Sequence, residues 1–369
     1  MIKTVGVIGG GQLARMMIAP ATALGLEIKV LAEAENSSAK LAASMIGDYR
    51  DYATVAAFAR TVDVITFDHE HVPLEILERL ESDGVKVQPC SSALEFAQNK
   101  LHMRRKLSEL GLPVPDWAEV HSAADLDEFL QTHGGVAVLK TPTGGYDGKG
   151  VRIVRSSADA LDWLELGKVL LVEEKVDFVR ELAQLSARNI NGEWQAWPVV
   201  QTVQADGVCS EVLSPAPKAD QARAAEIAKA IAEGLGVTGV LAVELFETVD
   251  GSLLVNELAM RPHNSGHFSI EGSTTSQFEQ HLRAVANLPL GETSALSKFA
   301  VMLNLLGVDE RNTFVEHYTE GLKILGVHLH SYGKQARAGR KMGHITVLSD
   351  VSMDEARQRA LEAKRALHA

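Results

Sequence analysis

The chain has 369 residues, 46% of them hydrophobic, enough for two or three domains with their own cores. Its formal net charge of −12 excludes broad binding to nucleic acid or to an anionic membrane surface, so an anionic small substrate would need a local basic pocket. Two cysteines, Cys90 and Cys209, fit a reduced cytoplasmic protein and not a disulfide scaffold; no apolar run is long enough to cross a bilayer, and the N-terminus lacks the basic start and cleavage site of a signal peptide.

Residues 1–95 read as alternating strand and helix. Thr4–Ile8 is a buried strand, Gln12–Leu24 a helix, Glu27–Leu31 a second strand and Val62–Phe67 a further one. Such alternation predicts an α/β domain with an open parallel sheet. A second unit, 96–290, has a different texture. A charged helix over Leu94–Leu110 is expected to stop at Gly111, before Pro113 and Pro115. Strands follow at Val136–Lys140, Leu170–Glu174, Leu182–Arg188 and Ala196–Thr202, and an Ala-rich amphipathic helix at Gln221–Gly234. Mixed strands and helices suggest an α+β domain. Past Pro289-Leu290-Gly291 a small, β-rich third unit, 291–369, holds strands at Ala300–Leu306, His328–His330 and Gly343–Leu348. A last helix, Met353–Leu367, ends the chain.

Several motifs carry chemistry. Gly9-Gly10-Gly11-Gln12-Leu13-Ala14 follows the first strand and opens the first helix. It passes for a dinucleotide fingerprint, with Glu33 where a ribose-binding acid would stand. A helix N-terminus binds any phosphate, however, so the same geometry serves a phosphorylated substrate, and NAD binding is the minority reading. His69-Glu70-His71 follows another strand; Glu70 there is a candidate hydrogen-bond acceptor. Lys140 precedes a loop with four glycines in seven residues, Gly144 to Gly150. Its amides can fold over phosphates, although the spacing is not that of a Walker A loop. Glu173-Glu174-Lys175-Val176 ends a strand, and Glu181 lies just beyond. An exposed strand end can bond an adenine edge, and a carboxylate can hold ribose hydroxyls.

Glu244 and Glu257 lie on two apolar runs, Val240–Phe246 and Leu253–Leu258, joined through Asp250-Gly251. That pattern predicts a hairpin that sets the two acids side by side. With Asn256 they offer hard oxygen ligands suited to Mg²⁺. Arg261, His263, Asn264 and His267 follow directly. Further on, Lys334, Arg337, Arg340 and Lys341 fall within eight residues, interleaved with glycine and no acids. In an acidic chain this is a local anion site.

These residues resemble the ATP-grasp superfamily and, within it, the N5-carboxyaminoimidazole ribonucleotide synthetases. The resemblance rests on Gly9-Gly10-Gly11-Gln12-Leu13, Phe67-Asp68-His69-Glu70-His71-Val72-Pro73, Gly144-Gly145-Tyr146-Asp147-Gly148-Lys149-Gly150, Asn256 to His267 and Gly339-Arg340-Lys341-Met342-Gly343-His344. It implies a pre-ATP-grasp domain, an ATP-grasp domain and a C-terminal domain. It also implies ATP- and bicarbonate-dependent carboxylation of 5-aminoimidazole ribonucleotide through carboxyphosphate, and a homodimer. Carried over, Glu244 and Glu257 hold Mg²⁺. Lys100, Lys140, Gly145, Tyr146, Asp147, Gly148, Lys149, Gly150, Val151, Glu173, Glu174, Lys175, Val176, Glu181, Gln204, Asn256 and Glu257 surround the nucleotide. Gln12, Glu70, Tyr146, Asp147, Lys334, Arg340 and Lys341 take the ribonucleotide. Arg261, His263 and Asn264 line the bicarbonate end, and Lys140 serves the phosphoryl group. The chain departs from the pattern at Lys100 (arginine expected), Ala14 (glycine), Met260 (proline) and Gln204 (histidine). Carboxyphosphate hydrolyses readily, so water must be excluded, and the glycine-rich loop is the natural lid. The alternatives are a formate-using ATP-grasp ligase on another purine precursor and, on residues 9–33 alone, an NAD-dependent oxidoreductase.

Overall fold

The computed structural model describes residues 2–145, 150–205, 207–308 and 314–368. Four short strands open the chain: β1 (Thr4–Ile8), β2 (Glu27–Ala32), β3 (Ala43–Ile46) and β4 (Val64–Phe67). They form a parallel sheet in the order β3-β2-β1-β4. Val5, Val7 and Ile8 of β1 are fully buried, as expected of a strand covered on both faces. The first helix, Gln12–Ala23, starts directly after β1, so Gly9–Gly11 lies at the carboxyl end of the sheet, where open α/β sheets place ligands.

Next come β5 (Trp117–Val120), β6 (Ala137–Lys140), β7 (Val151–Val154) and β8 (Leu170–Glu174), an antiparallel sheet in the order β5-β8-β6-β7. The expected helix over Leu94–Leu110 is two helices, Ser91–Gln98 and Lys100–Glu109. The break is Asn99, whose side-chain oxygen accepts from Leu101 N at 3.0 Å and His102 N at 3.2 Å. An asparagine in extended backbone caps a new helix more readily than it continues an old one.

The largest sheet comprises β9 (Phe178–Arg188), β10 (Trp194–Ala196), β11 (Val200–Ala205), β12 (Val208–Ser214), β13 (Gly239–Thr248), β14 (Leu253–Ala259), β15 (Phe299–Leu306), β16 (Val327–Ser331) and β17 (Lys341–Ser349). Its order is β14-β13-β9-β11-β12-β15-β17-β16, with β10 paired to β9. The single strand expected over Ala196–Thr202 is divided between β10 and β11. Pro198, which has no amide to donate, lies in the gap.

The strands after Pro289 build no separate sheet. Leu213 of β12 pairs with Val301 of β15, and Val301 with Val347 of β17, so the last unit continues the central one edge to edge and leaves neither strand row unpaired. That unit still has its own apolar core, where Ala356, Ala360, Ala363 and Leu367 of the last helix, Met353–His368, pack on Val301, Leu303, Ile345 and Val347. No helix of the described residues is long and apolar enough to cross a membrane.

Candidate active site

The hairpin forms as the spacing predicts, and Glu244 of β13 pairs directly with Glu257 of β14. Two like charges opposite one another are unfavourable. Burial, followed by Glu257 and Glu181, pushes the Glu244 carboxyl up to about 7. Lys100, at the first turn of its helix, is ion-paired to Glu257. His263 Nε2 lies 3.5 Å from Glu244 Oε1, while His263 Nδ1 accepts from Ser265 N at 3.4 Å. The ring proton therefore sits on Nε2 and faces Glu244. Burial, with Arg261 and Lys341 nearby, lowers His263 to about 3, so it is a neutral donor.

Lys140 ends β6, and its ammonium meets Glu173 Oε2 at 2.6 Å and Asn256 Oδ1 at 3.4 Å. Glu173 is 2% exposed and is shared with Arg104, whose Nε donates to Glu173 Oε1 at 2.6 Å. Burial works to raise Glu173, but Arg104 and Lys140 outweigh it and hold the carboxyl below its usual range. The Glu173 carboxylate is thus turned inward as a positioning group for Lys140. It is not free to hold ribose hydroxyls, because leaving two buried cations unpaired would cost more than a ribose contact returns. Arg104 was not among the residues expected from the sequence. It is fully buried and also donates to the carbonyls of Val255 at 2.9 Å and Asn256 at 2.7 Å. Nothing in a helix full of cations distinguishes the one that turns inward.

Around this core lie the other nucleotide candidates. Lys100 N donates to Pro142 O at 2.8 Å, and Thr141 N to Gly150 O at 2.9 Å. These bonds tie the base of the glycine loop to the helix carrying Lys100. Gly145, Gly150 and Val151 flank that loop; Tyr146, Asp147, Gly148 and Lys149 lie outside the described residues. Gly150 has φ +73°, a left-handed conformation that favours glycine. Glu174 Oε1 accepts from Asp116 N at 3.0 Å, Lys175 is exposed and Val176 half-buried. Glu181 accepts from Gln204 Nε2 at 2.7 Å, so Gln204 reaches the cleft through a carboxylate. Phe178 and Phe246 stack beside them with centroids 4.6 Å apart.

A second region, a cavity of about 360 Å³, opens at the carboxyl end of the parallel sheet. It is lined by Gly10, Gly11, Gln12, Glu33, Ser37, Asp68, Lys334 and Arg340 among others. Lys334 donates to Gln12 Oε1. Burial pulls the Lys334 ammonium down to about 8, against Asp68, which raises it. Arg340 NH1 donates to Gln335 O at 3.1 Å; Arg337 is exposed. Ser37, which no sequence motif marks, lines the cavity with a buried hydroxyl that has no partner among the described residues. The glycines serve close packing: a Cβ on Gly11 would stand 2.0 Å from Asp68 Oδ2.

Two amides where a dinucleotide pyrophosphate would sit are taken by the chain's own acids. Asp68 Oδ1 accepts from Ala14 N at 2.7 Å, and Glu33 Oε2 from Gly10 N at 3.2 Å. Glu33 also meets His69 at 3.3 Å. This removes the main support for an NAD site.

Glu70 joins the two regions. Its carboxylate accepts from Arg261 Nε at 2.6 Å and from Met260 N at 3.2 Å. Glu70 is an acceptor as expected, but its partner is the arginine of the opposite unit. Asn264 is also committed: its amide and that of Asn304 exchange bonds of 3.0 and 2.7 Å, which leaves it a bracing role. Lys341 begins β17 and acts electrostatically on Glu244 and His263.

The comparisons with known proteins agree with this arrangement. Family models match the ribonucleotide synthetase preATP-grasp domain over residues 2–98, the ATP-grasp domain over 105–278 and the phosphoribosylaminoimidazole carboxylase C-terminal domain over 300–359. The N5-carboxyaminoimidazole ribonucleotide synthase of Mycobacterium tuberculosis is 50% identical over 366 residues, covering 94% of this chain and 84% of that one. The crystal structure of the synthetase from Thermus thermophilus matches with a TM-score of 0.88 at 37% identity, over 98% of each chain. That of the Aspergillus clavatus enzyme with ADP and 5-aminoimidazole ribonucleotide matches with a TM-score of 0.90 at 33% identity, over 99% of this chain and 98% of that one. With identity at this level along nearly its whole length, the chain belongs to the N5-carboxyaminoimidazole ribonucleotide synthase family of ATP-grasp ligases.

Proposed function

We propose that the chain carboxylates 5-aminoimidazole ribonucleotide at the expense of ATP, with bicarbonate as the carbon source, in purine biosynthesis. The observation that carries this reading is the continuity of two sites. The carboxylate pair and Lys140 form one site and the Lys334 cavity the other, bridged by the Glu70–Arg261 ion pair.

Bicarbonate is a poor electrophile. Attack of its oxygen on the γ-phosphorus breaks the bond to ADP and gives carboxyphosphate. Loss of phosphate from that mixed anhydride yields CO₂. The amine lone pair then forms the N–C bond, and one amine proton is lost. Phosphoryl transfer asks the protein for position and positive charge. Lys140, held by Glu173 and Asn256, supplies a fixed ammonium at the phosphates. Arg261 and the Nε2–H of His263 meet the bicarbonate end. Lys334, Arg340, Gln12 and the Ser37 hydroxyl hold the ribonucleotide phosphate, with Lys341 between the two sites.

Glu244 and Glu257 would hold Mg²⁺, which supplies positive charge to the phosphates. The residues fit that ion. They are hard oxygen donors, and the hairpin sets the two carboxylates directly opposite one another. Homodimer formation and a cytoplasmic location accompany this reading. The divisions near residues 95 and 290 mark its three domains.

The test is phosphate release by the purified protein with Mg²⁺-ATP in bicarbonate buffer, with and without aminoimidazole ribonucleotide. Release that rises with the ribonucleotide and needs bicarbonate supports the assignment; release indifferent to both contradicts it.

A further inference from the structure

Lys100 has a position that the reaction scheme leaves unexplained. It occupies the first turn of its helix, where the helix dipole disfavours a cation. Its side chain is only 13% exposed, whereas that of its partner Glu257 is 43% exposed. Its backbone N–H is fixed to Pro142 O at the foot of the glycine loop. Lys100 therefore reaches from Pro142, ahead of that loop, to the carboxylate pair.

The neighbouring cations have other acids. Arg104 and Lys140 share Glu173, at 2.6 Å each. Arg261 holds Glu70 at 2.6 Å. Lys100 instead sits on a carboxylate assigned to the metal. A lysine suits a temporary partner: its ammonium is a compact point charge on a flexible stem, whereas an arginine fork would bind the carboxylate in two places.

We propose that Lys100 is the resident counter-ion of the metal carboxylates. It neutralises Glu257 while the site holds neither cation nor nucleotide, and moves onto the nucleotide phosphates when they arrive. This rests on the reading that Glu244 and Glu257 hold a divalent cation. The consequence is an order of events. A free divalent cation must displace an ammonium from Glu257 and therefore binds weakly. A cation arriving with ATP finds Glu257 released, because the phosphates draw Lys100 away. Metal and nucleotide thus bind with positive coupling built into one side chain, and each must raise the affinity of the other by the same factor.

The experiment is Mn²⁺ binding followed by the electron paramagnetic resonance signal of free Mn²⁺, without nucleotide and with a non-hydrolysable ATP analogue. Wild type, Lys100→Met and Lys100→Gln are compared, with Glu257→Gln as the marker of the site and thermal melting as the check on folding. In wild type the analogue should tighten Mn²⁺ strongly. In both Lys100 variants Mn²⁺ alone should bind about tenfold tighter, within the usual range of such couplings, and the gain from the analogue should shrink. If Mn²⁺ affinity without nucleotide is unchanged in both variants while the analogue still creates a Glu257-dependent site, the counter-ion role is overturned and the metal assignment stands. If no Glu257-dependent site appears even with the analogue, both are overturned.

Discussion

Replacing Arg104 by methionine tests whether the nucleotide side of the site is held by a buried charge. The guanidinium is fully buried and makes three bonds, to Glu173 Oε1 at 2.6 Å and to the carbonyls of Val255 and Asn256 at 2.9 and 2.7 Å. Methionine keeps most of the volume and none of the donors. Glu173, itself 2% exposed, keeps Lys140 as its one ion partner among the described residues. Breaking such a buried pair from one side costs roughly 3–5 kcal/mol. The two stranded carbonyls contribute to the same figure, because water cannot enter to satisfy them. Arg104→Met should therefore lose about 3–5 kcal/mol in urea unfolding followed by tryptophan fluorescence. The middle of β14, where Val255 and Asn256 lie, loses its anchor and Lys140 is drawn more tightly to Glu173, so KM for ATP should rise about tenfold or more. The double variant Arg104→Met/Glu173→Gln should lose less than the two single losses added together, since it leaves no uncompensated carboxylate. A loss below about 1 kcal/mol with unchanged KM for ATP would refute the buried-charge argument.

Glu257→Gln should leave the fold intact and reduce turnover about a hundredfold to a thousandfold, the range for removing one charge-stabilising group; near-normal activity at saturating Mg²⁺ would sink the metal assignment. Lys334→Ala should raise KM for the ribonucleotide far more than KM for ATP, and in wild type the ribonucleotide KM should climb as pH rises through about 8, where the ammonium discharges. An equal rise in both constants would place the basic loop at the nucleotide instead. Burial holds His263, His267, His281 and His344 below their usual range, so these imidazoles take up protons only on unfolding. Their contribution to stability is full above about pH 6.5 and is lost as pH falls below it, by roughly 1.4 kcal/mol per pH unit for each, partly opposed by Glu244. A melting temperature that is the same at pH 7.5 and 5.5 would contradict this.

Hydrophobic alternation and hairpin chemistry were legible in the sequence because they act locally. The bounds of β1 and β8, the helix Gln221–Gly234 and the Glu244–Glu257 pairing all follow from periodicity and one Asp-Gly turn. Non-local partnerships were not legible. Nothing around Arg104 says that it faces Glu173, or around Asn264 that its amide closes on Asn304. Glu70 illustrates the middle case. Its position at the end of β4 marked it as an acceptor, but its donor, Arg261, lies 191 positions away. The glycine run was ambiguous for a physical reason: the same small residues that admit a pyrophosphate also admit the Asp68 carboxylate, and only the three-dimensional contact tells the two apart.

The most direct test of the central claim is the fate of bicarbonate oxygen. The purified protein is supplied with ¹⁸O-labelled bicarbonate, Mg²⁺-ATP and aminoimidazole ribonucleotide, and the released phosphate is examined by mass spectrometry before label exchanges with water. Passage through carboxyphosphate requires one bicarbonate oxygen to leave with the phosphoryl group, so phosphate carrying a single ¹⁸O in step with product formation is the predicted result. Unlabelled phosphate alongside carboxylated product would mean that bicarbonate is never phosphorylated, and would contradict a role for Lys140, Arg261 and the Glu244–Glu257 pair in activating it.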